Sequence, residues 1–149
     1  MQLDAQVEAD TYWCLDLFLS CIRDHYTTDL PGQKRMVDLL EKRMLRVDKD
    51  LCKCVNESGL EFHLFSFKWM NNLLVREFPL GCIIRMWDTY LSEENINFEK
   101  LHVNVCAAFL QEFSPSLQQM EFEHLFHSLQ NLPTKGWGDA EVEVLLSQA

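Results

Sequence analysis

The stretch Phe62–Tyr90, FHLFSFKWMNNLLVREFPLGCIIRMWDTY, is the densest run of large apolar and aromatic residues in the chain, and it breaks once, at Phe78-Pro79. Before the break, apolar residues recur every three or four positions on two faces, which predicts a helix that is buried nearly all round. The first face carries Phe62, Phe65, Trp69 and Leu73, and the second carries Leu64, Phe67, Met70 and Leu74. After the break, a second and half-buried helix is marked by Leu80, Ile83, Ile84, Trp87 and Leu91, with Pro79 suited to its first turn.

Charged residues gather around the corner between these two helices. Arg76 and Glu77 are expected to close the first helix, whereas Arg85 lies within the second and Trp87-Asp88 lies near its end. An unpaired buried charge is costly, so the pattern favours an ion-pair and hydrogen-bond network that ties the two helices together. Direct contact with a partner is the alternative.

The remaining apolar spacing predicts further helices, over about residues 9–26, 34–55, 98–113 and 117–129, with a short last helix after Gly138. Ser114-Pro115 is expected to break the helix that begins at Phe98, and residues 91–97 are expected to form a loop. Only five Gly and four Pro among 149 residues, with few β-branched runs, favour helices over a sheet. The sequence therefore predicts one all-α domain of about six or seven helices.

The composition limits the partners and the compartment. A net charge of −10 disfavours nucleic acids and anionic membranes as partners, because their phosphates would be repelled. No stretch approaches the roughly 18 to 20 uncharged apolar residues of a membrane span, and the N-terminus is not typical of a signal peptide. The six cysteines lack the compact spacing of a secreted scaffold, which predicts reduced core residues of a cytoplasmic protein. They are Cys14, Cys21, Cys52, Cys54, Cys82 and Cys106.

Two Glu-x-x-His pairs raise the alternative of a di-metal helical bundle, which would use two further inward-facing carboxylates. The pairs are Glu99/His102 and Glu121/His124. The apolar stripes of residues 37–51 and 62–74 contain no such carboxylate, which makes this alternative remote. The pairs His124/His127 and Cys52/Cys54 lack further ligands at metal spacing, and the five glycines form no phosphate-binding loop. We therefore predict neither a metal nor a cofactor.

Five segments match sequence motifs of one protein family. They are Glu8-Ala-Asp10-Thr-Tyr-Trp13-Cys14, Phe67-Lys-Trp69, Leu73-Leu-Val-Arg76-Glu77-Phe78-Pro79, Arg85-Met-Trp87-Asp88-Thr-Tyr90 and Leu129-Gln-Asn-Leu-Pro133-Thr-Lys-Gly-Trp137. In this order they resemble the second half of the TBC domain, the helical module of the GTPase-activating proteins that switch off Rab GTPases. The sequence from Trp69 to Leu74 is typical of the Gyp1-like branch of that family.

The resemblance implies an activator of a GTP-bound Rab-family GTPase, located in the cytoplasm at the periphery of the Golgi or other endomembranes. TBC proteins use an arginine finger in Ile-x-x-Asp-x-x-Arg and a glutamine finger in Tyr-x-Gln-Gly, both in the first half of the domain. Neither pattern occurs in this sequence. Residues 1–149 are therefore expected to be a partial, C-terminal TBC domain that is inactive alone and that could self-associate through uncovered apolar surface. A non-catalytic TBC-like interaction module is the alternative.

Asn71 and Asn72 stand out as two amides within the otherwise apolar first helix. Buried amides need hydrogen-bond partners, so these side chains either bridge helices or face a groove. Together with Arg76 they are our candidates for contact with a GTPase, and no residue of the chain is assigned a catalytic role. The residues expected to form the structural motif are Trp69, Arg76, Glu77, Pro79, Arg85, Trp87 and Asp88.

Overall fold

A computed structural model describes residues 2–92 and 98–149 of the protein, with side chains from Asp4 onward. Within these ranges the chain forms eight α-helices, one short 3₁₀ helix at Arg23–His25, and no strand. The helices are α1 Gln2–Cys21, α2 Pro31–Val47, α3 Lys49–Glu57, α4 His63–Asn72, α5 Leu80–Ser92, α6 Phe98–Leu117, α7 Phe122–Gln130 and α8 Asp139–Gln148. The predicted all-α class is confirmed.

The chain divides into two compact units, Met1–Gly32 and Gln33–Ala149. The first unit contains α1 and the 3₁₀ helix, and most apolar side chains of α1 are exposed, although Phe18 is buried. This unit ends at Gly32, where a Cβ atom would lie 2.3 Å from Cδ2 of His25. Only glycine fits this close approach without movement of the histidine.

The core of the second unit is built around a cluster of aromatic rings from α4, the following corner, α6 and the segment before α8. The ring of Phe109 lies 5.4 Å from that of Trp69 and 4.7 Å from that of Phe78. Trp137 stacks on Phe113 at 5.8 Å. α8 packs against α5 and α6, while α7 packs against α4 and α6. The predicted burial of Trp69 is confirmed, because none of its surface is exposed.

The corner after α4 differs from the sequence prediction. α4 ends at Asn72, so Arg76 and Glu77 do not close it. Leu73 and Leu74 instead adopt left-handed conformations, with φ of 53° and 65°. Such backbone is costly for residues other than glycine, and it persists here because both leucine side chains are buried.

The predicted helix over residues 34–55 is two helices, which raises the count above the expected six or seven. α2 begins at Pro31, a residue suited to a first helical turn. Asp48 then separates α2 from α3, and its Oδ1 accepts a hydrogen bond of 2.9 Å from the backbone N–H of Leu51. This N-cap provides an acceptor for a backbone N–H at the start of α3 that has no partner within the helix.

The expected break at Ser114-Pro115 is also wrong, because α6 continues to Leu117. Pro115 lies in the last turn, where its missing N–H removes one helical hydrogen bond and few residues follow. Ser114 still accepts a bond of 3.0 Å from the N–H of Gln118. A proline so near the end does not stop the helix before its last turn.

The exposed faces of α4 and α5 correct the predicted burial pattern. α5 buries Cys82, Ile83, Met86 and Tyr90, whereas Leu80, Ile84 and Leu91 are exposed. Leu64 is also exposed, so α4 is not buried all round. Leu91 and Ser92 belong to α5, and the other residues of the predicted 91–97 loop lie outside the described ranges.

All six cysteines are free, but only Cys52, Cys82 and Cys106 are buried. Burial raises the pKa of the Cys106 thiol well above its usual value. Burial, with the Asp48 and Glu41 carboxylates, raises the pKa of Cys52 to about 11. Cys14 and Cys21 are exposed, so the prediction of core cysteines holds for about half of them.

No helix in the described ranges has the length and apolar character needed to cross a membrane.

Candidate partner-binding cleft

A cleft of about 830 Å³ lies between the end of α4, the corner that follows it, and the segment after α7. It is lined by Lys68, Asn72, Arg76, Glu77, Gln130, Asn131, Leu132, Pro133, Thr134, Lys135 and Gly136. Residues 68–77 and 130–136, which are distant in sequence, therefore form one concave surface. Both segments contain motifs that resemble those of the TBC family.

The wall of the cleft is held together by hydrogen bonds that run between its two segments. Lys68 Nζ lies 3.1 Å from Glu77 Oε2 and donates to the Gln130 carbonyl at 2.5 Å. The side chain of Gln130 in turn donates to the Leu64 carbonyl at 2.7 Å. Thr134 Oγ1 donates to the Glu77 carbonyl. Because Glu77 is 9% exposed, its ion pair with Lys68 is a structural contact that fixes the cleft.

Three of the residues that line the cleft carry polar groups without a partner among the described residues. Arg76 and Lys135 are exposed, and neither makes an ion pair with any residue that the structure describes. Asn72 Oδ1 is buried and has no hydrogen-bond partner within the same residues. A buried acceptor without a donor is uncommon in folded proteins. The two exposed cations make the mouth of the cleft complementary to a carboxylate.

Two of the three predicted partner-binding residues meet in this cleft, and the third does not. Asn72 and Arg76 line it, whereas Asn71 is exposed elsewhere and its Oδ1 accepts from Gln33 Nε2 at 3.1 Å. Lys68 and Lys135 also line the cleft, and the sequence pattern did not predict them there. A lysine within the aromatic run FSFKW was the available signal for Lys68, since a cation in an apolar helix requires a partner.

Arg85 of the predicted motif lies on α5 and pairs with Glu143 of α8. Arg85 Nε lies 2.6 Å from Glu143 Oε1, and Arg85 Nη1 donates to Thr89 Oγ1 at 2.6 Å. Pro79 precedes α5 and its carbonyl accepts from the N–H of Ile83 at 3.1 Å, while Trp87 is half-buried and Asp88 is exposed. In this motif, the ion pairs join Glu77 to Lys68 and Arg85 to Glu143.

His102, a member of one Glu-x-x-His pair, is fully buried and bound to protein groups through both ring nitrogens. Its Nε2 lies 3.1 Å from the Trp69 carbonyl, which can only accept, so Nε2 carries the proton. Its Nδ1 then accepts from the Tyr90 hydroxyl at 2.9 Å. Trp69 belongs to the last turn of α4, so His102 satisfies a carbonyl that the end of the helix leaves without a partner.

The remaining residues weighed as metal ligands are placed apart from this histidine. Glu99 pairs with Arg35, whose Nε lies 3.0 Å from Glu99 Oε2. Glu121 and His124 are exposed on or beside α7. Cys54 Sγ lies 4.0 Å from the carbonyl of Gln118. The acid of the first Glu-x-x-His pair is thus engaged by Arg35.

Within residues 2–92 and 98–149 the fold is helical, and the cleft carries the exposed cations Arg76 and Lys135. Residues 2–118 match the sequence model of the Rab-GTPase-TBC domain, and the chain belongs to this family. It is 47% identical over 143 residues to the GTPase-activating protein gyp1 of Schizosaccharomyces pombe, covering 96% of this chain and 28% of that protein. It is 43% identical over 144 residues to human TBC1 domain family member 22A, covering 96% of this chain and 28% of that relative.

The fold agrees with a solved structure of the same family. The crystal structure of the Ypt/Rab-GAP domain of Gyp1p matches with a TM-score of 0.89 and 47% identity, covering 95% of this chain and 44% of that chain. The chain therefore spans less than a third of the length of these two relatives and less than half of the solved domain.

Proposed function

We propose that the protein acts in the stimulation of GTP hydrolysis by a GTP-bound Rab-family GTPase, and that its cleft binds the GTPase. Support comes from relatives that are named as GTPase-activating proteins and that align over 96% of this chain. In this reaction an activator stabilises the charge that develops on the transferring phosphoryl group and positions the attacking water. This activity would place the protein in the cytoplasm, at the surface of endomembranes.

The observation that carries the proposal is the open set of polar groups at the mouth of the cleft. Arg76 and Lys135 offer two exposed cations that no described residue pairs. A GTPase that places a carboxylate here would form charge-assisted hydrogen bonds with them. Charge-assisted bonds of this kind are the strong ones, so binding should depend steeply on Arg76.

We propose that the 149 residues bind the GTPase without accelerating hydrolysis. No arginine or glutamine of the sequence stands in either finger motif, so the charge stabilisation and the water positioning would come from residues outside this sequence. The role of these 149 residues is then to hold the partner and to form one wall of its binding groove.

The test is single-turnover GTP hydrolysis over a panel of Rab proteins, together with binding of each GTP-loaded Rab to the immobilised chain. We expect at least one Rab to bind, with no increase in its hydrolysis rate. Arg76→Glu should abolish that binding, whereas Lys49→Glu, an exposed change of equal charge outside the cleft, should leave it within about twofold. Failure of every Rab to bind would overturn the docking proposal, and an increased rate would overturn the proposed inactivity.

A non-catalytic interaction module is the second candidate, favoured by the same missing finger motifs. A fusion of the first part of the Gyp1p domain to this chain separates the two functions. If the fusion accelerates hydrolysis on the Rab that the chain binds, the chain is a working half of an activator. If the Rab binds the fusion without turnover, although the whole Gyp1p domain is active on that Rab, this chain is a binding module.

A further inference from the structure

A second concave surface of the protein lies between α2 and α6, away from the cleft. This groove has a volume of about 400 Å³ and shares no residue with the cleft. It is lined by Leu39, Lys42, Arg43, Arg46, Glu99, Lys100, Val103 and Asn104. We name it the α2/α6 groove.

The groove concentrates positive charge in a protein that is acidic as a whole. Four of the 13 Lys and Arg residues line it, although the net charge of the chain is −10. Lys42, Arg43 and Arg46 are exposed and form no ion pair within residues 2–92 and 98–149. Glu99, the carboxylate of the lining, is engaged by Arg35 at 3.0 Å. Lys42, Arg43 and Arg46 are therefore available to an external anion.

Apolar surface accompanies these cations. Leu39 is 38% exposed, and Val103 from α6 is nearly buried, with the half-buried Asn104 beside it. One face of α2 presents a leucine and three cations over two turns, because Lys42 and Arg43 each lie three or four positions from Leu39 and from Arg46. A groove with an apolar strip and a cationic rim suits an amphipathic segment whose polar positions are acidic.

We propose that the α2/α6 groove binds an acidic amphipathic helix of a partner protein, with its apolar side chains against Leu39 and its carboxylates on Lys42, Arg43 and Arg46. A simple phosphate ligand would leave the apolar strip unused. Extended polyanions such as nucleic acids and anionic membranes also meet the rest of the acidic surface, whose repulsion acts over a Debye length of about 8 Å at physiological salt. A short acidic helix would contact only the groove.

Fluorescence anisotropy with two labelled synthetic helical peptides of roughly 15 residues tests this proposal. The first peptide has leucines at every third or fourth position and glutamates elsewhere, and the second has lysines in place of those glutamates. We expect the acidic peptide to bind the whole chain and the basic peptide not to bind. Raising the salt from about 0.05 M to about 0.3 M should weaken the acidic complex, because the rim contacts are exposed.

The decisive variants are Arg43→Glu/Arg46→Glu and a matched pair, Lys34→Glu/Lys49→Glu, which makes the same change in net charge outside the groove. The groove variant should bind the acidic peptide at least about tenfold more weakly, and the matched variant should lose less than about threefold. Circular dichroism melts of both variants establish that each is folded. Leu39→Ser, which changes no charge, should also weaken binding, and this separates use of the apolar surface from charge attraction alone.

Three results would overturn the proposal. Equal losses in the two double variants would mean that the peptide senses net charge and not the groove. Equal binding of the lysine peptide would exclude recognition of acidic residues. Displacement of the acidic peptide by inositol hexakisphosphate or by phosphatidylserine vesicles at lower concentration than by unlabelled acidic peptide would identify a phosphate ligand. Because the cleft is not altered in these variants, their Rab binding reports separately on the proposed function.

Discussion

Two polar regions meet the end of α4, and they differ in how completely their hydrogen bonds are made. In the His102 region, both ring nitrogens are engaged, by the Tyr90 hydroxyl and by the Trp69 carbonyl. In the cleft region, Arg76 is exposed and Asn72 Oδ1 is buried without a partner among the described residues. Both regions contain residues that the sequence marks as candidates for chemistry. In this comparison the imidazole with both nitrogens bonded is structural, whereas the exposed cation of the cleft is left for a partner.

The largest expected effect comes from removing the side chain of His102, which holds two buried hydrogen bonds. His102→Leu leaves the buried Tyr90 hydroxyl and the Trp69 carbonyl without partners, and each such loss costs on the order of 1 to 3 kcal/mol. We expect the free energy of unfolding in urea to fall by about 3 kcal/mol. Tyr90→Phe leaves a single buried group, His102 Nδ1, without a partner and should cost about 1 to 2 kcal/mol. Similar small losses in the two variants would show that the region is not a closed structural network.

Removal of Lys68 should have the next largest effect, because it opens the wall of the cleft. Lys68→Met leaves the nearly buried Glu77 carboxylate unpaired and deprives the Gln130 carbonyl of its donor. Since Lys68 is partly exposed, we expect a loss of about 2 kcal/mol rather than the full cost of a buried unpaired charge. A second change, Glu77→Gln, should restore part of the stability. If the two losses simply add, the ion pair is not the coupling between these segments.

Arg76 provides the sharpest contrast with these two changes. Arg76→Glu should alter the free energy of unfolding by less than about 0.5 kcal/mol, since the side chain is exposed and unpaired. The same variant should lose binding to a GTP-loaded Rab. Thermal melts and the binding assay together test this difference. A melting temperature that falls as far as that of Lys68→Met would place Arg76 in the structural network instead.

The smallest expected effect lies at the start of α8, where Glu141 Oε2 accepts from the Gly138 N–H at 2.8 Å. This hydrogen bond lowers the pKa of Glu141 from its usual value of 4.5. A lowered folded-state pKa means that the contribution to stability is present above about pH 4.5 and is lost as the pH falls through the folded-state pKa. Glu141→Gln should therefore lower the urea midpoint slightly at about pH 6, and the difference should shrink toward pH 3. A difference that grows on acidification would contradict this assignment.

Much of the fold follows from the spacing of apolar residues, whereas the details of the site depend on contacts between distant segments. The run around Trp69 predicts its burial because large residues at helical spacing have few stable alternatives. Asn71 and Asn72 are equivalent in sequence, but one residue of helical rotation places only Asn72 in the cleft. Lys135 joins Arg76 because residues 130–136 pack back on α4, and no local pattern reports that contact.

The break at Asp48 and the corner at Leu73 were missed for different physical reasons. Aspartate is as common on a solvated helix face as at an N-cap, so the pattern over residues 34–55 does not distinguish one helix from two. Leucine strongly disfavours the left-handed region, so nothing local predicts two such residues in succession at the end of α4. At Leu73 tertiary packing overrides the local preference of the residue, whereas at Asp48 the local preference is ambiguous.

The left-handed pair Leu73–Leu74 makes the shape of the cleft depend on the core beneath it. Each residue holds a backbone conformation that costs about 1 to 2 kcal/mol, and burial of the two side chains offsets that cost. Weaker core packing would release this corner before the rest of the unit unfolds, so amide hydrogens of residues 73–78 would exchange early. A bound partner would slow that exchange. Affinity for the partner thus becomes partly a property of residues that never touch it, such as Phe109.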